Sequence, residues 1–141
     1  LIKKRVGALD AEEIIELEGA RFQLEMFNGF SKVEQELFLF DTVTNESTSK
    51  IEFNKMIQAW KSGNATLMQQ VVSSNVKRFP KLKKMYRKLI DERNYRMFKK
   101  IDQMIQNTEK CYCIVVGAAH LVGKTGLINL LSERGYILKQ L

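Results

Sequence analysis

Residues 111–126, CYCIVVGAAHLVGKTG, limit what this chain can become more than any other stretch. Cys111 to Val116 is a run of strand-preferring residues that empties into Gly117-Ala118-Ala119-His120, and a helical pattern begins after Gly126. A strand feeding a glycine-bearing loop and then a helix is the unit of open α/β sheets, which place ligands at the ends of their strands. The loop also approaches a nucleotide-binding loop, which needs Gly, four residues, then Gly-Lys-Ser/Thr. Here five residues separate Gly117 from Gly123-Lys124-Thr125. Such a loop works by turning successive backbone N–H groups toward phosphate oxygens, so an inserted residue changes which amides point inward. Only Tyr136 to Leu141 follow the next helix, leaving no later strand for an acidic magnesium partner. The phosphate-cradle reading is therefore set aside. His120, the only histidine in 141 residues, becomes the candidate for chemistry, against the plainer reading of a glycine-rich turn with no role.

The length suits one domain spanning residues 1–141 with a real core, and 45% hydrophobic against 28% charged residues is ordinary for a globular chain. The net charge of +7 is partly local, with eleven basic and two acidic residues from Lys77 to Lys100. A basic helix of this kind is compatible with nucleic acid or anionic lipid, but no recognition motif or interleaved aromatic platform accompanies it. Nucleic acid is not expected as a partner. No apolar run is long enough to span a membrane, and no signal-peptide pattern is present. Cys111 and Cys113 would share one strand face; a bridge between them would be strained, and packing explains them best.

Along the chain, Ile14 to Leu17 reads as a short strand ending at Gly19, and Phe22, Leu24 and Met26 continue a two-residue alternation, between strand and irregular structure. Ser31 with Glu34 three residues on forms a capping box opening a first helix, with Val33, Leu37, Phe40 and Val43 on one side. Phe53, Met56, Ile57 and Trp60 mark a second helix closed by Gly63. Asn64 caps a third, with Leu67, Met68, Val71 and Val72 inward. Pro80 starts a fourth, to about Gln106. Its stripe of Leu82, Tyr86, Leu89, Met97, Ile101 and Met104 has Arg93 in the middle, and a guanidinium there needs a carboxylate, Glu18 or Glu92. Glu92-Arg93-Asn94 would then form a polar cluster in mid-helix. The fold class expected is α/β: about four helices in the middle, then a strand–helix–strand on a small sheet belonging to a larger α/β fold, with Val116 ending its most buried strand.

Three segments carry a family resemblance: Asp91 to Met97 (DERNYRM), Val115 to Gly123 (VVGAAHLVG) and Gly126 to Leu131 (GLINLL), followed by Arg134-Gly135-Tyr136. Their order and spacing resemble the C-terminal half of the TraB/GumN family, whose animal relatives are the Tiki proteins. The likeness runs from about Ile14 onward. It implies an α/β domain with a metal-dependent hydrolytic site, peptidase-like, built from two Gly-x-x-His motifs and carboxylates. Gly117 and His120 match the second Gly-x-x-His, and Glu92, Arg93 and Asn94 match the Glu-Arg-Asn run. By this resemblance His120 is the metal ligand or catalytic base, Glu92 the carboxylate and Arg93 an orienter or charge stabiliser. Glu18, Asn94, Gly117 and Gly123 line the site.

The departure is the missing first Gly-x-x-His, since no second histidine exists. A catalytic divalent metal ordinarily takes about three protein ligands and one open position. The chain is thus expected to be the C-terminal part of a longer protein, inactive alone, whose parent would use Zn, Mn or Co held tightly only in the full-length form. A peptide or protein substrate is implied, and the family resemblance points to the cell envelope or secretion. Loss of sheet neighbours would favour a homodimer or association with the N-terminal half. The alternative is a module that captures a peptide or lipid in the same cleft without cleaving it.

Overall fold

A computed structural model describes residues 17–44, 46–78, 80–107 and 111–140. The α/β expectation is overturned: no β-strand occurs among these residues, and the architecture is helical. Cys111 to Val116 has no regular secondary structure despite its strand-favouring composition, and among the described residues no second segment pairs with it. A strand exists only through a partner's backbone, and Tyr136–Gln140, the other strand expected on the small sheet, does not supply one. Burial follows suit. Val115 is 86% exposed and Ile137 fully exposed, so these are not strands covered on both faces. The short strand expected over Ile14 to Leu17 lies, except for Leu17, outside the described residues.

Helix α1 spans Ala20–Asn28, where the two-residue alternation is also compatible with a strand. Its sequence, ARFQLEMFN, contains no β-branched residue and several strong helix formers, so local preference and spacing agree on a helix. Phe22 and Met26, four apart, are half-buried while Leu24 between them is exposed. Helix α2 is Lys32–Thr44, and the expected capping box is present. Ser31 N donates to Glu34 Oε2 at 2.8 Å and Glu34 N to Ser31 Oγ at 3.2 Å, satisfying two amides that the first turn cannot pair. Helix α3 is Glu46–Lys61 and α4 is Ala65–Arg78, the latter capped by Asn64 Oδ1, which accepts from Leu67 N at 2.9 Å.

The inward faces expected for α2 and α3 are only partly covered. Leu37, Met56 and Ile57 are half-buried, whereas Val33, Phe40, Val43, Phe53 and Trp60 are exposed. Helix α4 meets its expectation, with Met68 buried and Leu67, Val71 and Val72 half-buried.

The long fourth helix is one helical path of changing pitch. It opens as a 3₁₀ turn at Pro80–Leu82 and continues as a short α-helical turn, α5, at Lys83–Tyr86. It then widens into a π-helical turn at Arg87–Asp91 and resumes as α6, Glu92–Asn107. Two hydrophobic clusters form along it. Leu82 and Met85 pack with Phe30, flanked by Met26, Leu37, Phe38, Tyr86 and Leu89. Met97 and Ile101 pack with Leu127 of the last helix, α7 (Leu127–Glu133), flanked by Leu17, Phe98, Val116, Leu121 and Leu131. Tyr136 Oη donates to Asp102 Oδ1 at 2.7 Å, which fastens the chain after α7 back onto α6. No described helix is long and apolar enough to cross a membrane.

Candidate functional site

The stretch of helix between the two clusters carries the polar residues. A π turn consumes more residues per revolution than an α turn, so it shifts which side chain continues the stripe. Five residues after Leu89 comes Asn94, which is 0% exposed, and Met97 and Ile101 follow it inward. Arg93 lies beside that line, its side chain 18% exposed. It is paired as expected. Arg93 Nε donates to Glu18 Oε2 at 2.7 Å and Nη1 to Leu89 O at 3.3 Å.

Glu18 comes from the segment preceding α1, and the long helix makes one further contact with that segment and one with α1 itself. Lys100 Nζ donates to Leu17 O at 2.7 Å, and the Arg96 guanidinium sits 3.9 Å from the centre of the Phe22 ring. The Glu18 side chain is only 8% exposed, and among the described residues no donor reaches its Oε1. A buried carboxylate oxygen with no partner is costly and asks for an explanation.

His120 ends a 3₁₀ turn, Ala118–His120, closed by its own N–H donating to Gly117 O at 2.9 Å. It is 9% exposed, and its Nδ1 lies 2.6 Å from Asn94 Oδ1. Asn94 Nδ2 donates to Thr125 O at 2.8 Å, and Thr125 Oγ1 donates to Asp91 Oδ1 at 2.6 Å. The turn and the following loop are thus stitched to the long helix at Asp91 and Asn94, three residues apart on one face. Two glycines allow the loop to close. Gly123 has φ +88°, a region that side chains rarely adopt, and a Cβ on Gly126 would collide with the carbonyl oxygen of Val122. Gly117, by contrast, has room for a methyl, whose nearest neighbour would be His120 Cδ2 at 3.7 Å.

Of the residues expected at the site, His120 and Asn94 touch, and Arg93 and Glu18 touch beside them. Glu92 stands apart: it is exposed, with Oε1 3.6 Å from Arg87 Nε across the π turn. Thr125 and Asp91 join the network although neither is among the residues expected at the site. The signals for them are the place of Asp91 at the head of the DERNYRM run, three residues before Asn94, and that of Thr125 in Gly-Lys-Thr.

Burial pushes the His120 imidazole below its usual pKa; the Arg93 charge pushes it the same way, and the Glu18 charge opposes both. A histidine more acidic in the folded state favours folding when neutral. That contribution is fully present above the unfolded value of about 6.5 and is lost as pH falls from there toward the lowered folded value. Urea unfolding followed from pH 7.5 downward is therefore expected to show stability declining through the range just below about 6.5. His120→Gln should flatten that slope, since no other histidine exists. An equal slope in wild type and variant would contradict the assignment.

Fold and site together define a helical domain that presents one buried histidine on a Gly-x-x-His turn, braced from behind by the asparagine of a Glu-Arg-Asn run. The model of the TraB/PrgY/gumN family matches residues 8–140, nearly the whole chain, and the chain belongs to that family. No curated protein and no solved structure matches it significantly.

Proposed function

We propose that this chain carries the histidine-bearing part of a hydrolytic, peptidase-like site of the TraB/PrgY/gumN type. His120 acts as the base that takes a proton from the attacking water, and Arg93 orients the carboxylate of Glu18. Glu18 takes the place that the family resemblance assigned to Glu92, because it is buried beside Arg93 while Glu92 faces solvent. The observation that carries the reading is the 2.6 Å contact of His120 with Asn94 in a buried setting that keeps the imidazole neutral at physiological pH.

The divalent metal implied by the family does not fit the donors described here. They offer one imidazole nitrogen and one unshared carboxylate oxygen, and no group of three or more His, Cys, Asp or Glu among the described residues could hold a metal. The neighbouring guanidinium further disfavours a cation. No step is therefore derived through a metal. Calorimetry with Zn²⁺ or Mn²⁺ at neutral pH is expected to show only weak binding. Tight stoichiometric binding abolished by His120→Ala would mean a complete metal site instead.

The activity test uses the complete gene product and a panel of quenched fluorescent peptides. His120→Ala is expected to lower turnover by about 10²–10⁴-fold, the usual contribution of a positioned base. Turnover indifferent to His120, or peptide capture without cleavage by the wild type, would replace the hydrolase by a binding module.

A further inference from the structure

A neutral imidazole carries its hydrogen on one nitrogen and its lone pair on the other, and hydrogen bonding decides which. The network around His120 settles this through the amide of Asn94. The Asn94 Nδ2 donates to Thr125 O at 2.8 Å, and a backbone carbonyl can only accept. That orientation leaves Asn94 Oδ1, also a pure acceptor, against His120 Nδ1 at 2.6 Å. A contact so short between an acceptor and Nδ1 needs the hydrogen on Nδ1. Asn94 is wholly buried, so no water competes for either end of its amide.

We infer that Asn94 is a positioning residue that locks His120 in the Nδ1–H tautomer and so leaves Nε2 as its single basic nitrogen. The significance for turnover rests on the hydrolytic reading above; the tautomer itself does not. Free histidine in water prefers the opposite tautomer, with hydrogen on Nε2, so the protein must select this one. The identity of the partner matters too. A carboxylate at position 94 would orient the ring equally well but would draw a second proton onto it. A neutral amide orients without charging. The rest of the scaffold serves the same end: Thr125 O fixes the amide, and Asp91 holds Thr125 through its hydroxyl.

The test is ¹⁵N NMR of the imidazole, which is free of overlap because the chain has one histidine. At neutral pH the wild type is expected to show Nδ1 in the protonated range and Nε2 in the unprotonated range. Asn94→Ala should shift the population toward Nε2–H. Asn94→Asp, kept as a second variant in case the first fails to fold, should retain hydrogen on Nδ1 and move the imidazole titration to higher pH. An Nε2–H imidazole in the wild type would overturn the inference, as would an unshifted titration in Asn94→Asp. Since the readout involves no turnover, an inactive protein with the expected tautomer would remove only the hydrolase. An active one with the opposite tautomer would remove only the role of Asn94.

Discussion

Arg93→Met is expected to destabilise the chain by about 3–5 kcal/mol, the usual cost of leaving one partner of a buried ion pair behind. The variant keeps most of the apolar stem, so lost packing contributes little. What it removes is, among the described residues, the one donor that reaches Glu18, whose side chain is 8% exposed and whose other oxygen has no partner there. The exposed Arg87–Glu92 pair, 3.6 Å apart, provides the contrast: Arg87→Met should cost no more than about 1 kcal/mol. Urea denaturation of both variants measures the difference. Adding Glu18→Leu to Arg93→Met should recover much of the loss, because the stranded charge leaves with it. A loss below about 1 kcal/mol for Arg93→Met would mean that Glu18 reaches water in solution and that the pair is a surface contact.

Asn94→Leu should be comparably damaging, for a different reason. The two side chains share heavy-atom count and branching, so a purely steric account predicts only the overpacking cost of two bulkier methyl ends in a fully buried site. The hydrogen-bond account predicts a large one. Leucine leaves both His120 Nδ1 and Thr125 O without their partners, and each stranded buried polar group costs about 1–3 kcal/mol. The expected loss is thus about 2–6 kcal/mol, with the loop from Ala118 to Gly126 loosened first. Hydrogen exchange of the loop amides together with thermal unfolding separates the two accounts. Unchanged protection in that loop would show that packing, and not the amide, holds it in place.

What could be read ahead in the sequence was whatever depends on near neighbours. The Ser31–Glu34 box, the Asn64 cap and the apolar stripe of the long helix all rest on spacings of three or four residues, and all are present. The pairing of Arg93 with Glu18 was also within reach, because a guanidinium beside an apolar stripe requires a carboxylate. The sheet was not. Strand preference in Cys111 to Val116 is local, but a strand is a property of two segments, and the second is missing among the described residues. Helix α1 was obscured by an accident of alternation in Phe22, Leu24 and Met26. The inward place of Asn94 does not follow from a uniform turn of about 100° per residue, and nothing in Arg87 to Asp91 announces a wider turn.

That wider turn has a mechanical side. A helix of constant pitch carries rotational phase from one end to the other, about 100° per residue, so the directions of Leu82 and Ile101 would be tied together by residue count alone. The π turn is a phase slip inserted between them. Upstream of it the helix is timed to Phe30 and α2; downstream it is timed to α7 and to the histidine turn. Winding these same five residues at constant α pitch, with none removed, would rotate one half against the other by about 100°. One cluster or the other would then have to turn its apolar side chains to water, however conservative the remaining sequence. A single-residue gap in this short stretch would instead remove the extra residue and leave both clusters in phase, so it should be better tolerated than a gap elsewhere along the helix.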